Sequence, residues 1–207
     1  MFILRTIKFV LKRILLYCSQ WNKRIFNYLL PNIRHFRRGR IIMSDYPSFN
    51  QKTLITGLGK VKIGKVEIGE KCMFGYKPGG YFYNGVIELQ SRNKMAKIKI
   101  GNHVLINNNL FICSANYVEI GNNVLIGEGV SIVDHEAHGI QPDERNKIGE
   151  IGTVIIDENV WIGSKVTILK NTKIGKNTIV AARAVVAGEF PADVIIGGVP
   201  AKIIRHI

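Results

Sequence analysis

The chain has 207 residues, 46% of them hydrophobic, enough for one sizeable core with an appendage. Its formal charge of +14 sits mostly at one end: residues 1–60 carry twelve Lys and Arg against a single acid, Asp45, a net of +11 that leaves +3 for the other 147. Three scattered cysteines, Cys18, Cys72 and Cys113, have no metal-ligand spacing and exclude a disulfide framework, which points to reduced thiols and a cytoplasmic chain. No small-residue cleavage site follows the first apolar stretch, so a cleavable leader is not expected.

Residues 2–30 read as a helix. At about 100° per residue, Arg5, Lys8, Lys12, Arg13, Lys23 and Arg24 fall on one arc of about 160°, opposite Ile3, Ile7, Val10, Leu11, Ile14, Trp21, Ile25, Tyr28 and Leu29. The longest uncharged run inside it, Ile14 to Asn22, is too short for the roughly 20 residues a bilayer span needs. Such a helix suits the headgroup region of an anionic membrane, with Arg34, Arg37, Arg38 and Arg40 as a polybasic patch, so residues 1–40 are expected to place the chain peripherally on the inner face of the cytoplasmic membrane. A helix that caps the first coil of a stack, or packs on a second subunit, is the competing expectation. Nucleic acid is not an expected partner, because no groove-reading motif accompanies the charge.

From residue 100 onward apolar residues recur six apart: Ile100, Ile106 and Ile112; Ile120, Ile126 and Ile132; then Ile156, Ile162, Ile168, Ile174, Val180 and Val186. Neither a helix nor a flat strand sustains a six-residue beat, whereas a solenoid that turns a corner every six residues buries one aliphatic side chain per corner. Three hexads make one triangular coil of about 18 residues. Gly follows the aliphatic position at Ile100-Gly101, Ile120-Gly121, Ile162-Gly163 and elsewhere, read as corner residues tolerant of positive φ. The expected fold is an all-β parallel β-helix of hexapeptide repeats over residues 46–195, with a basic amphipathic helical segment over 1–45 and a C-terminal tail over 196–207. A sandwich of ordinary strands would need alternating patterns and hairpin turns that are not there.

Between Ile132 and Ile156 the register survives but the pattern turns polar, so residues 134–152 are expected to form a loop extruded from one corner. Long loops on rigid scaffolds tend to carry binding or catalysis. This one holds His135 and His138, flanked by Asp134 and Glu136. A His suits general-base work near neutral pH, and an acid beside it could fix its tautomer and stabilise the imidazolium. A smaller slip of register at Cys113 to Tyr117 marks a second bulge.

The run His138-Gly139-Ile140-Gln141-Pro142-Asp143-Glu144-Arg145-Asn146 resembles the His-Pro-Leu-Asp-Pro-x-Glu-Arg-Asn segment of the hexapeptide-repeat acetyltransferases, the group that includes maltose, galactoside and nodulation-factor O-acetyltransferases and the O-antigen and capsule enzymes. The likeness continues through Asn159-Val160-Trp161-Ile162-Gly163-Ser164 and the ending Gly198-Val199-Pro200-Ala201-Lys202-Ile203-Ile204-Arg205. It covers roughly residues 98–207 and implies a left hand to the β-helix, a homotrimer with active sites between subunits, and acetyl-CoA as co-substrate. It makes His138 the catalytic base, for which Asp134 or Glu136 is the expected orienting acid. It places Asn107, Asn109 and Trp161 beside the acceptor, and Asn107, Ser164, Ala182, Ala187 and Gly188 along the thioester and pantetheine, with Lys202 and Arg205 on the phosphates. No metal is expected.

The expected activity is acetyl transfer from acetyl-CoA to a hydroxyl of a saccharide, a cell-surface polysaccharide or its lipid-linked precursor. The sequence departs from galactoside acetyltransferases at Ser114-Ala115-Asn116, where they carry an Asp pair, and in residues 1–60, which leaves the sugar open. Two alternatives are a γ-class carbonic anhydrase with zinc on His103, His135 and His138, which have the wrong spacing for that family, and a non-enzymatic scaffold on the same solenoid.

Overall fold

The computed structural model describes residues 40–45, 47–57 and 64–207. The helix expected over residues 2–30 lies outside them. Every described strand of the solenoid falls in one of three sheets, and successive strands visit the sheets in rotation. Sheet A runs from β1 (Arg40–Met43) through β4 (Lys65–Ile68), β7 (Lys97–Ile100), β10 (Tyr117–Ile120), β13 (Thr153–Ile156) and β16 (Thr172–Ile174) to β19 (Glu189–Phe190). Sheet B includes β2 (Ser48–Phe49), β5 (Met73–Phe74), β8 (Leu105–Ile106), β11 (Leu125–Ile126), β14 (Trp161–Ile162), β17 (Ile179–Val180) and β20 (Val194–Gly198). Sheet C includes β3 (Thr53–Thr56), β6 (Ile87–Ser91), β9 (Phe111–Ser114), β12 (Ser131–Val133), β15 (Thr167–Ile168) and β18 (Val185–Val186). Neighbours within these sheets are parallel and in register, for example Ile106 with Ile126 and Ile126 with Ile162.

The six-residue beat maps onto the core as expected. All twelve periodic aliphatics, from Ile100 to Val186, are at most 3% exposed and belong to one continuous cluster. Burial of side chains of this size stabilises by about 1.5–3 kcal/mol each before ordering costs. The corner chemistry differs from the expectation in one respect. The left-handed corner positions are held by Asn109, Asn123, Asn159, Asn171 and Asn177 together with Lys71, His103, Lys165, Arg183 and Asp193, and not by the glycines after each aliphatic residue. Those glycines answer a steric demand: a Cβ on Gly163 would stand 2.7 Å from the backbone nitrogen of Ala182 in the next coil.

The ends of the solenoid also differ from the boundaries at 45/46 and 195/196. β1 already pairs with β4 and sets Ile41 and Met43 against the core, so the first coil starts before residue 46. Residues 196–207 are no loose tail, since β21 (Ala201–His206) folds back antiparallel on β20. The loop 134–152 leaves after β12 and returns at β13. It is closed by a bridge between His135 and Ile151 and carries a single 3-10 turn at Pro142–Glu144. Among the described residues no helix is long and apolar enough to cross a membrane.

Candidate active site

Asp134 and His135 form the root of the extruded loop. The bulge at Cys113 to Tyr117 opens a pocket for the Asp134 carboxylate, which is fully buried. Its Oδ1 accepts from the Ala115 N–H at 2.7 Å and from His135 Nδ1 at 2.9 Å, and its Oδ2 accepts from the Ser114 hydroxyl at 2.6 Å and the Asn116 N–H at 3.0 Å. Burial alone would raise the carboxyl, but His135, Ser114 and the two backbone donors outweigh it and hold it below the usual range. On its far side the His135 ring accepts at Nε2 from Arg92 Nη1, 3.2 Å away. With a guanidinium on one nitrogen and a carboxylate on the other, His135 is a buried strut with both ring nitrogens engaged.

His138 is built differently. It is exposed, and its Nδ1 donates to the Arg145 carbonyl at 2.6 Å, which fixes the tautomer and leaves the Nε2 lone pair free toward solvent. The carbonyl comes from the far arm of the loop, brought across by the 3-10 turn. The orienting acid expected from the sequence is therefore replaced by a main-chain oxygen. Asp134 is spent on His135, while Glu136 Oε1 lies 3.3 Å from the Lys170 ammonium and its Oε2 accepts weakly from the Glu150 N–H. Charges adjacent in sequence point to opposite sides of a tight loop.

The remaining site residues fall on two different edges of the triangular coil. Asn107, Asn109, Ser164 and Ala182 follow strands of sheet B, at the corner where the chain passes to sheet C. Trp161 stands on the outer face of sheet B, half exposed, in a ladder with Leu105 and Leu125. A cavity of about 250 Å³ lies here, with Asn107, Leu105, Leu125, Gly127, Tyr76 and Trp161 among its walls. His138, Ala187 and Gly188 instead follow strands of sheet C, at the corner that leads to sheet A. That corner is the vertex opposite sheet B, so one chain does not bring His138 to the cavity.

The edge bearing Ser164 and Ala182 is a column of small residues. A Cβ on Gly127 would lie 2.6 Å from the Ser164 nitrogen, and the corners stack directly on one another. Lys202 and Arg205, three apart on β21, would face opposite ways in a regular strand. A register shift makes Lys202 oppose Gly197 and Arg205 oppose Ile195, so both point to one face and could meet a polyphosphate together. Asn109 has φ 61° and gives its N–H to Gln51, which makes it a corner residue held from below.

His103, His135 and His138 are not brought together. His103 turns the corner after sheet A, and no cluster of three or more His, Cys, Asp or Glu suited to a metal occurs among the described residues.

A galactoside O-acetyltransferase of Escherichia coli (strain K12) is 38% identical over 174 residues, which cover 82% of this chain and 78% of that one. The chain belongs to the hexapeptide-repeat acetyltransferase family. The profile of the bacterial transferase hexapeptide (six repeats) matches residues 153–188, across β13 to β18. A putative lipopolysaccharide biosynthesis O-acetyl transferase, WbbJ of Escherichia coli (strain K12), is 38% identical over 120 residues, 52% of this chain and 60% of that protein's length. Two crystal structures share the fold. The polySia specific acetyltransferase NeuO has a TM-score of 0.55 at 20% identity, over 81% of this chain and 80% of that one. The hexapeptide-repeat containing acetyltransferase VCA0836 from Vibrio cholerae has a TM-score of 0.54 at 23% identity, over 89% and 85%. The solenoid of this family member is accordingly a left-handed parallel β-helix.

Sequence reasoning missed Arg92, Gln51 and Asn108. Arg92 holds His135, and the buried Gln51 and Asn108 tie down the loop beside the cavity. A run of three Asn at 107–109 was the visible signal, since a solenoid corner needs one.

Proposed function

We propose that the protein transfers the acetyl group of acetyl-CoA to a hydroxyl of a saccharide, with His138 as general base. The observation that carries this reading is the His138 imidazole, held at Nδ1 by the Arg145 carbonyl and free at Nε2, in a member of an acetyltransferase family. Nε2 removes the hydroxyl proton as the sugar oxygen attacks the thioester carbonyl. The C–O bond forms, the C–S bond breaks, and the imidazolium returns its proton to the departing CoA sulfur. Backbone N–H groups at the coil corner stabilise the oxyanion.

Direct transfer suits the two cysteines among the described residues: burial pushes the Cys113 thiol up to about 11 and raises that of Cys72, which makes both poor acyl carriers.

The division of the site between two corners supports a trimer in which His138, Ala187 and Gly188 of one subunit meet Asn107, Trp161, Ser164 and Ala182 of the next. Exposed Ile140 and Ile148 on the loop, and Leu105 and Leu125 on sheet B, supply the apolar surface such a contact needs. The basic residues 1–40, at an anionic membrane surface, suit a lipid-linked acceptor.

Incubating the protein with acetyl-CoA and a panel of sugars, nucleotide sugars and lipid-linked oligosaccharides tests the activity through release of free CoA. Acceptor-dependent release with a saccharide is expected, and release with none would contradict it. Replacing Lys202 and Arg205 together with Ala should raise the KM for acetyl-CoA by roughly 10–100-fold, because two charge-assisted phosphate contacts are lost, with acceptor KM nearly unchanged. A shortened thioester lacking the nucleotide should be insensitive to the double change; equal loss with both donors would remove the phosphate role.

A further inference from the structure

The corner between β5 and β6 takes twelve residues, Gly75 to Val86, where the corners after β8 and β11 take four. The excursion carries four aromatic residues, Tyr76, Phe82, Tyr81 and Tyr83, and it is fastened from beneath by two buried amides. Asn108 accepts the Tyr76 N–H at 2.9 Å and donates to the carbonyls of Tyr76 and Gly80, both at 2.8 Å. Gln51 donates to the Tyr81 carbonyl at 2.7 Å and accepts the Asn109 N–H at 2.8 Å. Both amides bond main chain, which leaves the aromatic rings free for another use.

Two glycines let the loop lie flat across the next coils. A Cβ on Gly79 would come within 2.5 Å of Asn107 Oδ1, and one on Gly80 within 2.6 Å of Glu128 Oε2. The loop is thereby laid along the rim of the cavity that holds Asn107 and Trp161, and Tyr76 forms part of the wall. Beyond the rim, Tyr81 sits at φ 59°, a backbone region unfavourable to a bulky side chain, with the Lys165 ammonium 5.9 Å from its ring centroid. Tyr83 is 85% exposed, its ring set edge-on against Phe82. Three tyrosines are thus held in a loop whose main chain is fixed from beneath, one of them in a backbone region that a bulky residue rarely adopts.

We propose that loop 75–86 is a second sugar subsite, which seats the residue adjoining the one that is acetylated and so selects an oligosaccharide over a free monosaccharide. The inference rests on the acetyl-transfer reading above. A pyranose ring presents an apolar C–H face and a rim of hydroxyls. The faces of Tyr81 and Tyr83 match the first, while Glu128 and Lys165 at the same corner can hydrogen-bond the second. Continuity with the cavity sets the order: the acetylated sugar lies between Asn107 and Trp161, and the next ring lies on the loop.

The test is the double variant Tyr81→Ala, Tyr83→Ala of the full chain, assayed with a monosaccharide and with an oligosaccharide that contains it. The oligosaccharide KM should rise roughly tenfold or more, from loss of two stacking faces, with kcat and the monosaccharide KM within twofold of wild type. The Phe, Phe pair should restore the oligosaccharide KM, whereas Leu, Leu, which keeps bulk without a flat face, should not. The fastening bonds are main-chain, so all three variants keep the loop. Equal effects on both acceptors, or none, would overturn the subsite alone. A rise confined to the KM for acetyl-CoA would make the loop a cover of the thioester channel and overturn it too. Failure of the wild-type protein to acetylate any saccharide would remove the acetyl-transfer reading and the subsite with it.

Discussion

His138→Ala should lower kcat by roughly 10²–10⁴-fold, the range for loss of a positioned general base, with acetyl-CoA affinity little changed. The change removes an exposed side chain whose one fixed contact is a main-chain carbonyl, so the fold and the unfolding midpoint should stay as they are. His135→Ala should show the converse. It leaves the Asp134 carboxylate and the Arg92 guanidinium without their shared partner, so the loss should appear first as stability. Steady-state kinetics and thermal unfolding on both variants separate the two roles. A large kcat loss for His135→Ala at unchanged stability, with His138→Ala active, would reverse the assignment.

The second large effect is on the fold. Asp134→Ala deprives Ser114, His135 and two backbone N–H groups of their common acceptor in a fully buried site, and each buried donor left unsatisfied costs about 1–3 kcal/mol. The same network sets a pH dependence. Because the folded carboxyl is held below its unfolded value, the stability it contributes is whole above the ordinary carboxylate range and is lost as pH falls through the depressed value. Denaturant titration from neutral to acid pH should show a fall below about pH 4 that is smaller in Asp134→Asn, which cannot titrate. An equal fall in both proteins would place the acid lability elsewhere.

How much of this was legible in the sequence depends on how regular the coils are. From Ile100 to Val186 one aliphatic residue per hexad suffices, and each is buried where the beat puts it. Upstream, Phe49 and Ile55 or Ile68 and Phe74 keep the six-residue spacing, but twelve residues lie between Phe74 and Ile87, and the aromatic loop in that gap breaks the beat within the first two coils. Even the glycines were read for the wrong reason, because a repeat shows which residue is small but not what stands over it.

The residues proposed for the site can be named from the sequence, but their places in the fold cannot. A likeness of motif could name His138, yet the partner of its Nδ1 is a carbonyl seven residues on, and every residue has a carbonyl. Lys202 and Arg205 share a face only because of a register shift that no local pattern announces. The separation of His138 from Asn107 and Trp161 is a property of which corner each strand precedes. It follows from the rotation of strands through three sheets, which becomes visible once the coil is closed.

The central claim is that acetyl transfer occurs where the His138 corner of one chain meets the sheet B face of another. Mixing two inactive variants tests it most directly. His138→Ala keeps an intact cavity face, and Asn107→Ala combined with Trp161→Ala keeps an intact base. Unfolded together in equal amounts and refolded, they should form mixed trimers in which about one site in four draws His138 from one variant and Asn107 with Trp161 from the other. The account predicts CoA release recovering to roughly a quarter of the wild-type rate in the mixture, and neither variant active when refolded alone. A mixture as inactive as its components, at a size equal to the wild-type assembly, would contradict a site shared between chains.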